Sequence, residues 1–236
     1  FGQTETPWHS VSDDYENARF IKPNIIEHLF MQASADLGLS VSLKLYKKID
    51  IELGIFNGEG YHQTENNSYK DAITRISYLP FIKKNEVLQC LSFTGYAQYG
   101  MINTESVRHR LGSGLFYKYN KNRCDSPDED LFATWVMYFI GKDGIDPVQT
   151  TRQGYNIGAR FSFLWDIFIM GSYDAFDINS SGSNDSFTSH FAAIGYHFNS
   201  YFRFAFAYQN QQFENAREIS KEFYGVYFEM KTPANQ

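Results

Sequence analysis

The sequence predicts an all-β chain, a transmembrane antiparallel up-and-down β-barrel in which about twelve strands are visible. Three observations predict it. Apolar residues recur at every second position in segment after segment, most of those segments run about 9 to 13 residues, and short turns alternate with longer polar loops. Strands of soluble proteins are usually nearer about 5 or 6 residues. The 236 residues are read as one domain, 1–236, since β-barrels run to about 200 to 250 residues as a single unit. A mean hydropathy of −0.42, with no run near 18 consecutive apolar residues, excludes a membrane-spanning helix. It does not exclude a barrel, whose lipid-facing apolar residues alternate with polar inward ones. The aromatic fraction of 18%, with 22 Phe and 17 Tyr, calls for an interfacial surface. A net charge of −6 leaves no basic footprint for a nucleic-acid partner.

The elements follow in order. A short strand piece at 1–7 leads into a long polar loop at 8–34. Leu37, Leu39, Val41, Leu43 and Leu45 then alternate with Gly38, Ser40, Ser42 and Lys44. After a turn at Lys47 and Lys48, Ile49, Ile51, Leu53 and Ile55 alternate with Asp50, Glu52 and Gly54, which makes a hairpin. Less regular strands are expected over about 71–79, 87–100, 108–119, 131–141, 166–176 and 187–198. Cleaner ones run from Tyr155 to Phe163, Phe202 to Tyr208 and Tyr224 to Met230. Short connections near Lys47, 80–86, 165–166 and 199–200, with a longer one at 120–130, alternate with loops at 58–70, 101–107, 142–153, 177–186 and 213–219. Short turns are the periplasmic side of an outer-membrane barrel and long loops the external side.

The apolar stripe belongs to lipid. The opposite face then carries Lys44, Asp50, Glu52, Arg75, Arg110, Lys118, Arg160, Asp174, Arg203, Glu229 and Lys231 as candidate pore-lining residues, with cations in excess. Such residues suit a wet lumen, because a buried unpaired charge costs several kcal/mol. Gly38, Gly54, Gly112, Gly114, Gly158, Gly195 and Gly225 on that face are expected to leave space for a pore. Strand-end aromatics, among them Tyr46, Tyr99, Trp135, Tyr173 and Tyr224, are expected to form girdles. Phe204 is expected on the lipid side, and Ala205 on an inner side that tolerates a larger residue.

The stretch Gly2-Gln3-Thr4-Glu5-Thr6-Pro7-Trp8, the long loop after it, and a strand pair ending Phe56-Asn57-Gly58-Glu59-Gly60-Tyr61 resemble bacterial outer-membrane porins of the broad phosphate-selective-porin-like group. The motif similarity covers roughly residues 1–80. The resemblance implies a bacterial outer-membrane location, and it implies that 8–34 folds into the pore, placing Asp13, Asp14, Glu16, Arg19 and Lys22 at a constriction. It also implies homotrimers. Family members usually have about sixteen strands, and this sequence shows about twelve. Either the barrel is smaller or strands outside this sequence complete it. Such barrels also usually end on an aromatic residue, whereas here Lys231 is followed by Thr-Pro-Ala-Asn-Gln.

Little else carries chemistry. The six histidines, at 9, 28, 62, 109, 190 and 197, have no metal-ligand spacing, so neither a metal nor a cofactor is expected. Ser189 and His190 are strand neighbours that face opposite ways, which argues against a nucleophile and its base. Gly58-Glu59-Gly60 and Gly112-Ser113-Gly114 open no helix after a buried strand, so no phosphate-cradling loop is expected. The acidic run at 125–130 reads as a solvated turn. Cys90 and Cys124 are either a disulfide or two lone thiols. The chain is read as no enzyme. It is expected to be a passive diffusion channel for small hydrophilic solutes with a modest anion preference, embedded in outer-membrane lipid. The alternative is a narrow barrel that binds or adheres to a partner through its external loops.

Overall fold

The computed structural model describes residues 2–29, 31–61, 67–82, 87–103, 106–119, 131–144, 150–163, 166–180, 185–199, 202–214 and 220–230. Twelve strands follow one another in a single meander: β1 (Gly2–Glu5), β2 (Ala35–Leu45), β3 (Ile49–Phe56), β4 (Asp71–Tyr78), β5 (Ser92–Met101), β6 (Val107–Tyr119), β7 (Phe132–Gly144), β8 (Thr150–Phe163), β9 (Ile167–Asp177), β10 (Ser186–Asn199), β11 (Phe202–Phe213) and β12 (Lys221–Met230). Each pairs antiparallel with its sequence neighbour, and among the described residues β1 and β12 are not paired. The expected all-β, up-and-down architecture of twelve strands is met.

The period-two pattern fixes the faces. Leu39, Val41, Leu53, Ile55, Leu111, Ile157, Ile194, Phe206 and Phe228 are exposed on the outer face, a continuous apolar belt that water would not tolerate at this size. Such a belt is the lipid-facing band of a membrane barrel. The β2–β3 register sets Lys44 opposite Asp50 and Leu43 opposite Ile51, so charge meets charge inside and apolar meets apolar outside.

The inner face departs from the expected wet lumen, because large rings lie on it beside the charges. A Cβ added to Gly158 would sit 2.4 Å from Cζ2 of Trp135, one added to Gly112 2.2 Å from the Phe139 ring, and one added to Gly195 2.3 Å from Phe168. Gly54 is covered in the same way by Phe56, Gly114 by Phe116 and Gly225 by Tyr227. These glycines do not leave an open pore; each is the recess into which a neighbouring ring lies down. Trp135 is therefore no girdle residue: it is fully buried and donates its Nε1–H to Asn156. Ala205 is likewise fully buried, so its site has no room for a larger side chain.

Between β1 and β2 the chain turns inward. The sequence reading took 8–34 as a polar loop, yet it holds two helices, α1 (Pro7–Glu16) and α2 (Ile25–His28). Pro7 starts α1 where its missing N–H costs nothing, and Asn17 ends it in the left-handed conformation. The Asn24 side chain accepts from the Ile26 amide and caps α2. The ends of the segment are tied where the Thr6 amide donates to the Ser34 carbonyl at 2.9 Å. Cys90 is disulfide-bonded; Cys124, the chain's only other cysteine, lies outside the described residues.

Candidate functional site

The inward segment lies on the inner wall, with α1 against β3, β4, β6, β7 and β8 and α2 against β8. Its apolar residues explain why it goes in. Trp8, Ile25, Ile26 and Leu29 are fully buried, and each such side chain contributes about 1.5–3 kcal/mol relative to exposure. Trp8 sits in an aromatic box, with ring centroids 4.5 Å from Phe139, 5.7 Å from Phe116 and 6.0 Å from Tyr96.

Polar contacts fix the segment's orientation. The Lys22 ammonium donates to Ser172 Oγ at 2.7 Å and to Asp174 Oδ2 at 3.3 Å, and both ends of that ion pair are dry. Asn156 donates to the other oxygen of Asp174. With its hydrogen bonds spent on Ser172 and Asp174, the Lys22 side chain latches the segment to β9. On the far side Arg203 reaches from β11 to Asn17 Oδ1 at 2.7 Å and lies over the Phe20 ring at 4.2 Å.

The segment's own charges largely satisfy one another. Arg19 pairs with Glu27 at 2.8 Å and Asp13 at 3.6 Å, and donates to His9 Nδ1 at 2.9 Å. Burial, reinforced by Arg19, pushes His9 down to about 3, so its ring is a neutral acceptor. Burial pushes Asp13 up to about 7 against the pull of Arg19, and Glu16 up to about 8 against the pull of Lys22. Asp14 is exposed and faces the wall cations Lys118, Arg75 and Lys44. All five residues expected at a constriction, Asp13, Asp14, Glu16, Arg19 and Lys22, thus lie on this segment, though Arg19 and Lys22 are taken up in ion pairs.

On the wall, Lys44, Asp50, Glu52, Arg75, Arg110, Lys118, Arg160, Asp174, Arg203 and Glu229 all lie on the inner face; Lys231 falls outside the described residues. Arg75 pairs with Asp50 at 3.2 Å and Glu52 at 3.1 Å, and Arg203 with Glu229. The sequence reading missed a cluster at the loop-rich end. Arg110, Arg108 and Arg152 converge on Asp143 at 3.0, 4.0 and 4.0 Å, and Arg108 also holds the buried Asp71 at 2.7 Å. Arg108 falls inside the strand read over 108–119 and shares the parity of Arg110, yet it was not counted with the inner face, while the strands read over 131–141 and from Tyr155 stop short of Asp143 and Arg152.

No family model and no curated protein matches the sequence. Solved structures match in fold. OmpT (in-vitro folded), an outer membrane protein of Vibrio cholerae, superposes with a TM-score of 0.67 at 9% identity, covering 98% of this chain and 74% of that one. Its loop L8 deletion mutant gives 0.66 at 10% identity over 97% and 74% of the two chains. The outer-membrane expressed form gives 0.66 at 9% over 98% and 75%. The fold is that of an outer-membrane β-barrel. Together with the outer apolar belt, it puts the outer face of the strands in contact with membrane lipid. Two expectations are corrected. The likeness does not support the phosphate-selective-porin-like group, which no comparison returns. The reading as no enzyme is withdrawn, because this fold is shared with some enzymes and a fold alone does not decide activity.

Proposed function

We propose that the chain forms a diffusion channel for small hydrophilic solutes with a modest preference for anions. The observation that supports the reading is the distribution of charge between wall and segment. Arg75, Arg110, Lys118, Arg160 and Arg203 stand on the inner wall. Asp50, Glu52, Asp143 and Glu229 on the same wall offset part of that charge, and α1 adds little to them, since Asp13 and Glu16 hold protons up to about pH 7 and 8. Near neutral pH the segment therefore cancels the wall only in part, and low-dielectric walls focus the remaining positive field on a passing solute. The homotrimer implied by the porin resemblance goes with this reading.

The test is the reversal potential of the purified protein in a planar bilayer under a KCl gradient. The expected sign is that of chloride passing more easily than potassium. A clear potassium preference at pH 6, where Asp13 and Glu16 are mostly protonated, refutes the charge argument. One observation favours a second reading, a narrow barrel that binds or adheres through its external loops: rings fill the recesses over Gly112, Gly158 and Gly195. A correctly folded barrel that passes no current decides for that alternative.

A further inference from the structure

On the outer face, at the loop-rich end of β7–β11, three tyrosines surround a small floor. Tyr138 is the register partner of Tyr155, Tyr155 that of Ala175, and the Tyr155 and Tyr173 ring centroids lie 6.0 Å apart. Ala175 projects only a methyl group, which leaves a depression of about 590 Å³. Ligand sites commonly measure about 300 to 1,000 Å³.

Next to the rings runs a row of hydrogen-bonding groups. The register sets Gln153 beside Asp177 and Asp177 beside Ser186. Tyr138 Oη donates to Gln153 Oε1 at 3.2 Å, Gln153 Nε2 donates to Asp177 Oδ2 at 3.2 Å, and Ser186 donates to Glu214. An interfacial girdle accounts for tyrosines but not for this row. The contrast lies on the same barrel. The outer depression over β2–β6 is walled by Leu39, Val41, Leu53, Ile55 and Leu111, and among the described residues no carboxylate lines it.

Exposed aromatic faces beside a carboxylate and an amide are the chemistry that recognises a saccharide. The C–H face of a pyranose lies on a ring, while vicinal hydroxyls donate to the carboxylate and pair with both ends of the amide. Among the described residues no Lys or Arg lines the depression, so a phosphate is the poorer match. Its position, where the apolar belt of Ile157 and Ile194 gives way to loops, sets a bound sugar at headgroup depth with its acyl chains along the belt. We propose that the groove formed by Tyr138, Tyr155 and Tyr173 around Ala175, with Gln153 and Asp177 at its edge, binds the saccharide headgroup of an outer-leaflet glycolipid. This does not depend on the channel reading.

The test is calorimetric titration of the full chain in detergent with three probes: a rough-type lipopolysaccharide, the oligosaccharide released from it, and a phospholipid. The expected result is binding of the first two, competition between them, and little response to the third. Tyr155→Ala should weaken both by at least about tenfold, whereas Tyr155→Phe, which keeps the ring, should stay within about twofold. Should Tyr155→Ala fail to fold, as read from loss of heat-modifiable migration, the Gln153→Ala/Asp177→Ala double variant carries the same expectation. Absence of binding overturns the proposal. So does glycolipid binding that the free oligosaccharide does not compete for, which would report acyl chains alone. Self-association of the chain that Tyr155→Ala abolishes would make the patch a subunit interface and would equally overturn it.

Discussion

Replacing Asp174 by Asn removes one charge from a contact with no water around it. Lys22 and Asp174 expose 3% and 0% of their side chains, so solvent screening does not soften the loss. Asparagine keeps an oxygen for Asn156 but turns an N–H donor toward the Lys22 ammonium, so the charge and one acceptor are lost together. Breaking a buried pair by removing one partner costs about 3–5 kcal/mol. Against this, Trp8, Ile25, Ile26 and Leu29 together hold the segment with about 6–12 kcal/mol of burial. The segment should therefore stay lodged at both helices and loosen only around Lys22. In urea unfolding from liposomes, with a slope of about 2–3 kcal/mol/M for a chain of this size, the midpoint should fall by about 1–2.5 M. Adding Lys22→Met to Asp174→Asn should recover most of the loss, with a coupling energy of at least about 2 kcal/mol. An Asp174→Asn midpoint within about 0.3 M of wild type, or a coupling below about 0.5 kcal/mol, would refute the reasoning, since the two groups would then not depend on each other.

Other outcomes follow from the same geometry. Gly158→Ala puts a Cβ 2.4 Å from Trp135, and overpacking of that kind should cost about 1–3 kcal/mol, read as a lowered urea midpoint. Phe206→Arg, on the exposed outer face, should slow folding into bilayers and cost about 2–4 kcal/mol, whereas the same change in detergent should be mild. Glu16 keeps its proton up to about pH 8 in the folded chain, while the unfolded carboxyl releases it near 4.5. The folded state then binds more protons between those values, so its contribution to stability is complete below about 4.5 and is lost as pH rises through about 8. Glu16→Gln should flatten the unfolding midpoint over that window. In the bilayer, anion preference should decline from pH 6 to pH 9 as Asp13 and Glu16 ionise, and an Asp13→Asn/Glu16→Gln double variant should hold it constant.

The strands were legible because one face of each must be apolar for lipid, and a period of two survives any change of residue type on the other face. The inner face was harder to read. It was taken as polar from Glu52, Lys118 and Asp174, while Phe56, Phe116 and Phe168 share their strands and their parity with those charges, in that order, and lie on the same side. An aromatic residue at a polar-parity position, with a glycine across the pair or two residues along the strand, is the pattern that announces a ring lying in a recess. The helices of the inward segment were missed for a different reason. Its polar residues Ser10, Ser12, Asp13 and Asp14 mask the spacing of Trp8, Val11 and Tyr15, which is a helical face. The Asp143 cluster went unseen because it joins three strand ends that only the register brings together.

The tie between Thr6 and Ser34 gives the inward segment a part in how the barrel takes shape. Strands β3, β4, β6, β7 and β8 curve around a solid former that includes Trp8, Val11, Ile25 and Leu29. That former is covalently part of the chain, and its two ends leave from neighbouring strands β1 and β2. The wall it touches cannot reach its final radius until the former has arrived, so β3–β8 and the segment should assemble in one cooperative event. β12 is exposed on its outer face and only half-buried on its inner one, and β11 meets the segment through Arg203. These strands are left to add on afterwards, as staves set last against a cask already bent.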